Sequence, residues 1–223
     1  MNKLYSTLML VFTISILSAQ EISIGLNGGI IGYQGDLVDG PVDLKELNPL
    51  FGANIKYQAW RDLAITANFN TGKITGNDAN SDRLMDRGLT LTTNLSEVAL
   101  QLEYHPLGRG GRYNRIGDFF KSMSPFVFGG VGYSFNEPEV TGLPASSPDL
   151  DNMIMSRLVI PFGLGVQYTF NENLYLGLEA CSRYVPDDYL DGVSLEGNPQ
   201  AKDWYYSLGI RLGFYLGGEP SMF

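Results

Sequence analysis

The residues best suited to chemistry are charged or amide side chains that stand between apolar neighbours at every second position. Glu97, Gln101 and Glu103 follow this pattern in one segment, and Glu179 and Arg183 follow it in another. The whole set is Lys56, Glu97, Gln101, Glu103, His105, Gln167, Glu179, Arg183 and Arg211. Acids and bases nearly balance, and charges removed from water must find partners. We therefore expect a paired polar network, with an ion pathway as the alternative.

Catalytic and metal motifs are scarce in this chain. Its one His and one Cys, His105 and Cys181, exclude a His-pair zinc site and any cluster of Cys ligands. The sequence has no GxSxG elbow for a nucleophilic serine. We expect no enzyme activity, no catalytic residue, no metal, no cofactor and no small-molecule substrate. The alternative is a hydrolase or acyltransferase that uses His105 as its base.

The negative net charge of the chain limits the classes of partner that it can bind. The formal net charge is -9, whereas nucleic-acid binding needs a basic face, so a nucleic-acid partner is excluded. Many of the acids cluster between the apolar segments. Asp187, Asp188 and Asp191 form the closest set, but they lack the frame of an EF-hand calcium loop. We interpret these acids as solvated loop charge.

Eight segments that alternate with a period of two must position the polar residues. The clearest are Phe51–Trp60, Leu63–Asn70, Glu97–His105, Leu158–Phe170, Leu174–Arg183 and Trp204–Phe214. Ile22–Tyr33 and Pro125–Phe135 are rich in glycine and alternate more weakly. Strict alternation predicts strands with one apolar and one polar face.

Three features favour a membrane barrel over a soluble sandwich. The segments are about 10 to 13 residues long, close to the ~9–11 that a tilted strand needs to cross a bilayer. Tight turns at 61–62 and 171–173 alternate with long polar stretches at 34–49, 75–94, 137–156 and 185–203. Aromatic residues stand at strand ends, and we expect Trp204, Tyr205 and Tyr206 to belong to one of two aromatic girdles.

The sequence thus predicts an all-β fold, an eight-stranded antiparallel transmembrane outer-membrane barrel with long outer loops and short periplasmic turns. A periplasmic β-sandwich is the alternative. The polar face of each strand then lines the barrel interior, and the apolar face meets lipid.

One connection differs from the other short turns. Residues 108–123 read GRGGRYNRIGDFFKSM, with Asp118 as the one acid among four bases. By this topology the segment is periplasmic. It is either a flexible turn or a docking surface for a protein partner, with apolar anchors. The candidate contact residues are Arg109, Arg112, Arg115, Phe119, Phe120 and Lys121.

The amino terminus predicts export. Residues 1–19 read as a signal peptide, with Lys3 before the apolar run Leu8–Leu17 and cleavage near residues 19–21. An uncleaved anchor is the alternative. Residues 20–223 then form the barrel domain, and the predicted location is the cell outer membrane.

Several motifs together resemble the PorG-type (DUF6089-like) outer-membrane proteins of Bacteroidetes. They are Gly72–Gly76 followed by Asp78 and Asp82, the strand opening Ile160–Gly163, the stretch Asp188–Ser194, and the opening 28–37, GGIIGYQGDL. The resemblance spans most of the chain after residue 20.

This resemblance implies an eight-stranded outer-membrane barrel without catalytic residues. It also implies a structural role in the type IX secretion system, in association with the periplasmic lipoprotein ring of that machine. Outer-membrane lipids and a ring lipoprotein are the expected partners. The alternative is a general small barrel, a structural or ligand-binding paralogue outside the secretion machine.

Overall fold

Eight antiparallel strands form one closed barrel in the computed structural model. The structure describes residues 21–34, 47–60, 62–77, 90–108, 122–141, 156–171, 173–186 and 204–216. Each strand pairs with its neighbours in sequence, and β8 pairs with β1. The predicted all-β fold, an eight-stranded antiparallel barrel, is confirmed. The strands are β1 (Glu21–Gln34), β2 (Asn48–Gln58), β3 (Leu63–Asn77), β4 (Thr90–Tyr104), β5 (Met123–Thr141), β6 (Ser156–Thr169), β7 (Leu174–Tyr184) and β8 (Trp204–Tyr215).

The seam between β1 and β8 closes the sheet. Its register runs from Ser23 opposite Tyr215 to Gln34 opposite Trp204. Closure satisfies the backbone groups that an edge strand would leave open, which a sheet surrounded by hydrocarbon requires.

Burial along the strands is the reverse of that in a soluble protein. Leu26 and Leu164 point outward and are 67% and 61% exposed, whereas Lys56 and Glu103 point inward and are 1% and 0% exposed. Lys and Glu are almost never fully buried in globular proteins unless they are paired. A β-sandwich would have placed the apolar faces in a common core, so the structure does not support that alternative.

The largest extensions beyond the predicted strands are in β3, β4 and β5. β3 continues to Asn77, which pairs with Thr90, and Thr90 pairs in turn with Thr141 at the end of β5. Parts of the stretches 75–94 and 137–156, predicted to be loops, are therefore strand. Threonine favours extended structure, and strands beyond a bilayer have no need of an apolar face, so alternation alone missed these residues. Predicted loop residues 35–46, 78–89, 142–155 and 187–203 lie outside the described residues, as does the predicted signal peptide 1–19.

The two predicted tight turns lie at one end of the barrel, which we call the turn end; the opposite end is the far end. In the first turn the Trp60 amide donates to the Leu63 carbonyl over 3.0 Å. In the second, the Asn171 side-chain oxygen accepts from the Leu174 amide over 2.9 Å. An Asx side chain that caps a turn in this way stabilises a short connection. No helix in the described part of the chain is long and apolar enough to cross a membrane.

Outward-facing aromatic side chains lie near both ends. At the turn end Tyr168 and Phe170 meet edge to face with ring centroids 5.0 Å apart. At the far end Trp204 contacts Phe162 at 6.0 Å and Tyr184 at 5.0 Å. Aromatic rings at two levels are typical of barrels that cross a bilayer.

Candidate functional site: the charged interior and its turn-end mouth

Eight of the nine residues predicted to form an interior network lie on strands and face the inside of the barrel, and the ninth, His105, is buried just after the end of β4. Seven of the eight strand residues are buried, and the Glu179 side chain is 17% exposed. Their strands place them at inward positions because alternate residues of a strand point to opposite faces of the sheet. The eight are Lys56, Glu97, Gln101, Glu103, Gln167, Glu179, Arg183 and Arg211.

Glu103 is the centre of the first charged cluster. Its Oε2 lies 2.6 Å from Lys56 Nζ, and its Oε1 accepts hydrogen bonds from Arg211 Nη1 at 2.6 Å and from Thr66 Oγ1 at 2.7 Å. Arg211 also donates from Nη2 to Glu179 Oε2 at 2.7 Å. Two carboxylates and two cations thus neutralise one another, as a low-dielectric interior requires.

Glu97 is the centre of a second cluster nearer the far end. Its Oε2 accepts from the Tyr205 hydroxyl at 2.5 Å and lies 2.6 Å from Arg183 Nε. Asn70 donates to its other oxygen at 3.4 Å, and Arg183 donates to the Ser207 hydroxyl at 2.8 Å. The Arg183 guanidinium lies over the Tyr205 ring, 5.1 Å from its centroid, in a cation–π arrangement.

Amide side chains link these clusters to the barrel wall. Asn68 donates to Gln101 at 2.8 Å, and Lys56 donates to the Gln167 oxygen at 3.2 Å. Gln167 donates in turn to the Tyr215 hydroxyl at 2.9 Å. Side chains bonded to one another therefore cross the interior from several directions, and this arrangement favours a filled core over an open pore.

Three buried tyrosines complete the interior, and the alternation analysis did not find them. Tyr175, Tyr205 and Tyr215 are 0%, 0% and 1% exposed. The prediction that Tyr205 belongs to an outward girdle is wrong, because Trp204 and Tyr206 take the outward positions on either side of it. The available signal for such a buried ring is an inward aromatic residue paired with an inward glycine, as Tyr175 is paired with Gly213.

Glycine makes room for Tyr175 and for another interior ring, that of Phe126. A Cβ atom on Gly213 would overlap the Tyr175 ring, and one on Gly165 would lie 2.5 Å from Cζ of Phe126. A larger residue at either position would force the neighbouring ring to shift. The inward glycines therefore serve packing as well as curvature.

Ser124, His105 and Glu103 lie together at the turn-end mouth in an order that resembles a catalytic triad. His105 Nδ1 is 2.9 Å from Ser124 Oγ, and His105 Nε2 is 3.5 Å from Glu103 Oε2. However, Ser124 donates its hydroxyl proton to the Gly108 carbonyl over 2.6 Å, so its oxygen accepts from the histidine. All three side chains are 0% exposed, and Glu103 is already bound to two cations. This geometry favours a structural brace over a nucleophile.

The same brace holds the two ends of the basic connection. The Gly108 amide donates to the His105 carbonyl at 2.8 Å, and the Gly108 carbonyl accepts from Ser124, so residues 108 and 124 are close together. Gly108 has φ 73°, a left-handed conformation that favours glycine. The predicted contact residues Arg109, Arg112, Arg115, Phe119, Phe120 and Lys121 lie outside the described residues.

Cys181 is buried inside the barrel next to Phe126 and Phe128. A thiol in apolar surroundings packs as a small hydrophobic side chain. Among the described residues, no three His, Cys, Asp or Glu side chains are grouped so that they could hold a metal ion.

A closed eight-stranded antiparallel barrel with an exposed apolar outer face and a polar, paired interior defines the small barrels of outer-membrane type. The chain belongs to the family described as "Domain of unknown function (DUF6089)", whose model matches residues 2–223. A search of curated proteins found no match.

Several solved outer-membrane barrels are similar in fold. Neisserial surface protein A shares 10% identity, with 86% of this chain and 96% of that chain covered and a TM-score of 0.53. The N-terminal barrel domain of Pseudomonas aeruginosa OprF shares 13%, with 86% and 97% covered and a TM-score of 0.44. The outer-membrane enzyme PagL shares 12%, with 86% and 97% covered and a TM-score of 0.39. At such identities the likeness concerns the fold alone.

Proposed function

We propose that this protein is an outer-membrane barrel and a structural, non-enzymatic component of the type IX secretion system. The membrane location is supported by the outward faces of the strands, which together we call the outward belt. Among the residues whose side chains the structure describes, Lys73 near the far end is the one charged side chain on an outward strand face. The rest of the belt is apolar or, near the far end, uncharged polar. Such a surface suits hydrocarbon and would be unstable in water.

The secretion role rests on the resemblance of the sequence motifs to the PorG-type proteins. Membership of the DUF6089 family supports this resemblance without naming a function. The filled interior fits a structural role better than that of a conduit, because bonded side chains cross it. The absence of an accessible nucleophile among the described interior residues supports a non-enzymatic role.

The proposed contact with the periplasmic ring is the basic segment 109–121. Its ends are held at the mouth by the hydrogen bond from Ser124 to the Gly108 carbonyl, and His105 Nδ1 bonds to the same Ser124 hydroxyl. A loop with a fixed base loses less conformational entropy on binding than a free linker does. Its four bases suit an acidic partner surface, and Phe119 and Phe120 supply apolar anchors.

A deletion strain tests the secretion role. Proteins that carry the type IX sorting domain should disappear from the culture medium and accumulate in the periplasm, as measured by mass spectrometry of both fractions. Complementation with the wild-type gene should restore secretion. Unchanged secretion would identify the chain as a paralogue outside the machine.

Charge reversal tests the partner contact. We expect the triple variant Arg109→Glu, Arg112→Glu, Arg115→Glu to lose ring lipoproteins in a pull-down while the barrel still folds. The matched control reverses three bases in predicted outer stretches, Lys45→Glu, Arg83→Glu and Arg87→Glu, and should keep the partner. Equal recovery of the lipoproteins by both variants would reject the basic segment as the contact.

A further inference from the structure

His105 is the single histidine of the chain and the first residue after β4. Its side chain is fully buried, whereas Leu107, two residues further on, is 71% exposed. Its main chain is held on both sides, because its amide donates to the Asp62 carbonyl at 2.7 Å and its carbonyl accepts from the Gly108 amide at 2.8 Å. A titratable group is therefore fixed inside the turn-end mouth, at the point where the basic connection leaves β4.

The brace determines which nitrogen of the imidazole carries the proton. Because the Ser124 hydroxyl donates to the Gly108 carbonyl at 2.6 Å, its oxygen accepts from His105 Nδ1 at 2.9 Å, and Nδ1 is the protonated nitrogen. In a neutral imidazole Nε2 then has a lone pair and no proton. Nε2 makes no hydrogen bond to any described residue and faces Glu103 Oε2 at 3.5 Å. Nε2 is thus the atom at which a second proton would bind.

The surroundings oppose that second proton. Both oxygens of Glu103 are already in contact with cations, Oε2 with Lys56 and Oε1 with Arg211, each at 2.6 Å. The other carboxylate of the cluster, Glu179, is bound to Arg211. An imidazolium would be the third cation beside two carboxylates in a buried site. The uncharged neighbours are Ser124 and the Phe126 ring on β5, whose centroid is 5.2 Å from that of the imidazole, and Thr66 on β3, which is bonded to Glu103.

The neutral imidazole therefore contributes to the stability of the brace. Burial lowers the pKa of His105 below its usual value, and Lys56 and Arg211 lower it as well, against the opposing effect of Glu103. The contribution is fully present above about pH 6.5, the usual pKa of histidine. It is lost as the pH falls through the lower pKa of the folded protein.

We propose that the turn-end mouth is a clamp that opens when His105 takes up a proton. The proton comes from solvent and binds at Nε2. The charged imidazole then leaves the cluster for water, which it can reach without disruption of β4 because the residues that follow it are exposed. Ser124 loses the histidine as its donor, its bond to the Gly108 carbonyl weakens, and residues 108 and 124 separate. The inference goes beyond the proposed function and does not rest on the secretion role.

Nuclear magnetic resonance of the purified protein in detergent micelles tests the clamp directly. Since the chain has one histidine, a single set of ring nitrogen signals reports its tautomer and its titration. We expect the Nδ1–H tautomer at pH 8 and a titration midpoint below pH 6.5. The protection factor of the Gly108 amide, in which the intrinsic effect of pH on exchange is divided out, should fall severalfold between pH 7.5 and 5.5 with the same midpoint. An Nε2–H tautomer, or a titration of His105 that leaves Gly108 protected, would overturn the proposal.

Two variants and a matched control separate the clamp from general acid sensitivity. His105→Gln keeps a side-chain amide donor but cannot titrate, so the protection of Gly108 should no longer depend on pH. Ser124→Ala, which tests the clamp even if the first variant folds poorly, should give low protection at both pH values. The control is Ser134→Ala, at another inward serine of β5 that is also fully buried, and it should keep the wild-type pH dependence. Wild-type behaviour of Ser124→Ala would overturn the proposal.

A second amide distinguishes local opening from unfolding of the barrel. Leu100 lies in the middle of β4, paired on both sides. Its amide should stay protected at pH 5.5 while that of Gly108 loses protection. Equal loss at both amides would mean that acid unfolds the whole barrel, and the clamp would then be rejected.

Discussion

At the scale of single residues, Glu103 is the carboxylate that holds the first charged cluster together. One carboxylate faces Lys56 and Arg211 at 2.6 Å each and accepts a third bond from Thr66. Its removal would leave two buried cations short of negative charge. The loss of one partner from a buried pair usually costs more than the pair contributes in total.

Glu103→Gln should therefore destabilise the barrel by about 3–5 kcal/mol, the range observed when one partner of a buried ion pair is removed. Urea unfolding of the protein in lipid vesicles measures the change. Lys56→Met added to Glu103→Gln should recover part of the loss, because it removes one of the orphaned cations. A single variant as stable as the wild type would mean that solvent reaches this cluster.

Gly213 tests the packing of the interior rings. We expect Gly213→Ala to cost about 1–3 kcal/mol, typical of overpacking, because the new methyl group would overlap the Tyr175 ring. Gly28→Ala is the matched control, since a Cβ there would meet nothing within 4 Å. The same unfolding assay compares the two variants. Equal stability would show that the Tyr175 ring can move aside.

At the scale of elements, each strand separates an outward side, which is mostly apolar, from an interior side. Leu100 on β4 pairs with Ala67 and Val131 in the middle of the belt and is 55% exposed. Thr71 faces outward near the far end of β3, close to Lys73. The cost of placing a charge on the lipid side should therefore depend on its depth.

Leu100→Arg should destabilise the barrel in vesicles by about 2–4 kcal/mol, the cost of arginine near the bilayer midplane, whereas Thr71→Arg should cost about 0–1 kcal/mol. Chemical unfolding of both variants in the same lipid provides the comparison. In detergent micelles, where water is nearer, the difference should shrink. If the two substitutions cost the same in vesicles, the belt does not lie in hydrocarbon as proposed.

The eight strands could be predicted from alternation, but their lengths could not. Alternation detects a strand where one face is apolar and the other polar, as at Phe51–Trp60. It fails where both faces are polar, as at the adjacent residues Thr92 and Thr93, or where glycines replace side chains, as in β1. Pairing with neighbouring strands extends β3, β4 and β5, and the alternation pattern contains no information about that pairing.

At the scale of the whole molecule, the barrel is a wall around a filled interior. The two charged clusters are centred on Glu97 and Glu103, which lie on the same strand, β4. Hydrogen-bonded amide side chains lie beside them. Their partners come from β2, β3, β7 and β8. The interior side chains therefore connect opposite walls and should make the barrel rigid as well as closed.

We expect the wild-type protein to show no steady conductance in a planar lipid bilayer, because bonded side chains cross the interior. The variant Glu103→Ala with Arg211→Ala should admit water and produce measurable ion flow. A double substitution on the outer face, Ala53→Ser with Ala67→Ser, controls for reconstitution. A stable open channel in the wild type would instead favour the ion pathway left open by the sequence.

The sequence by itself determined the fold class, the inward or outward direction of most strand residues, and the position of the two tight turns. These are local properties, because a period of two and a turn signal can be read within a few residues. The network members Lys56, Glu97, Glu103 and Arg211 could be recognised for the same reason.

Only the tertiary structure decided which of these residues meet. Glu103 bonds to Arg211 and Glu97 bonds to Tyr205, each across 108 positions of the chain. Such pairings depend on barrel closure, on the stagger between strands and on the space left by glycines such as Gly213. The brace of Ser124 with His105 and Gly108 arises in the same way, because the ends of a connection are brought together by the strands that flank it.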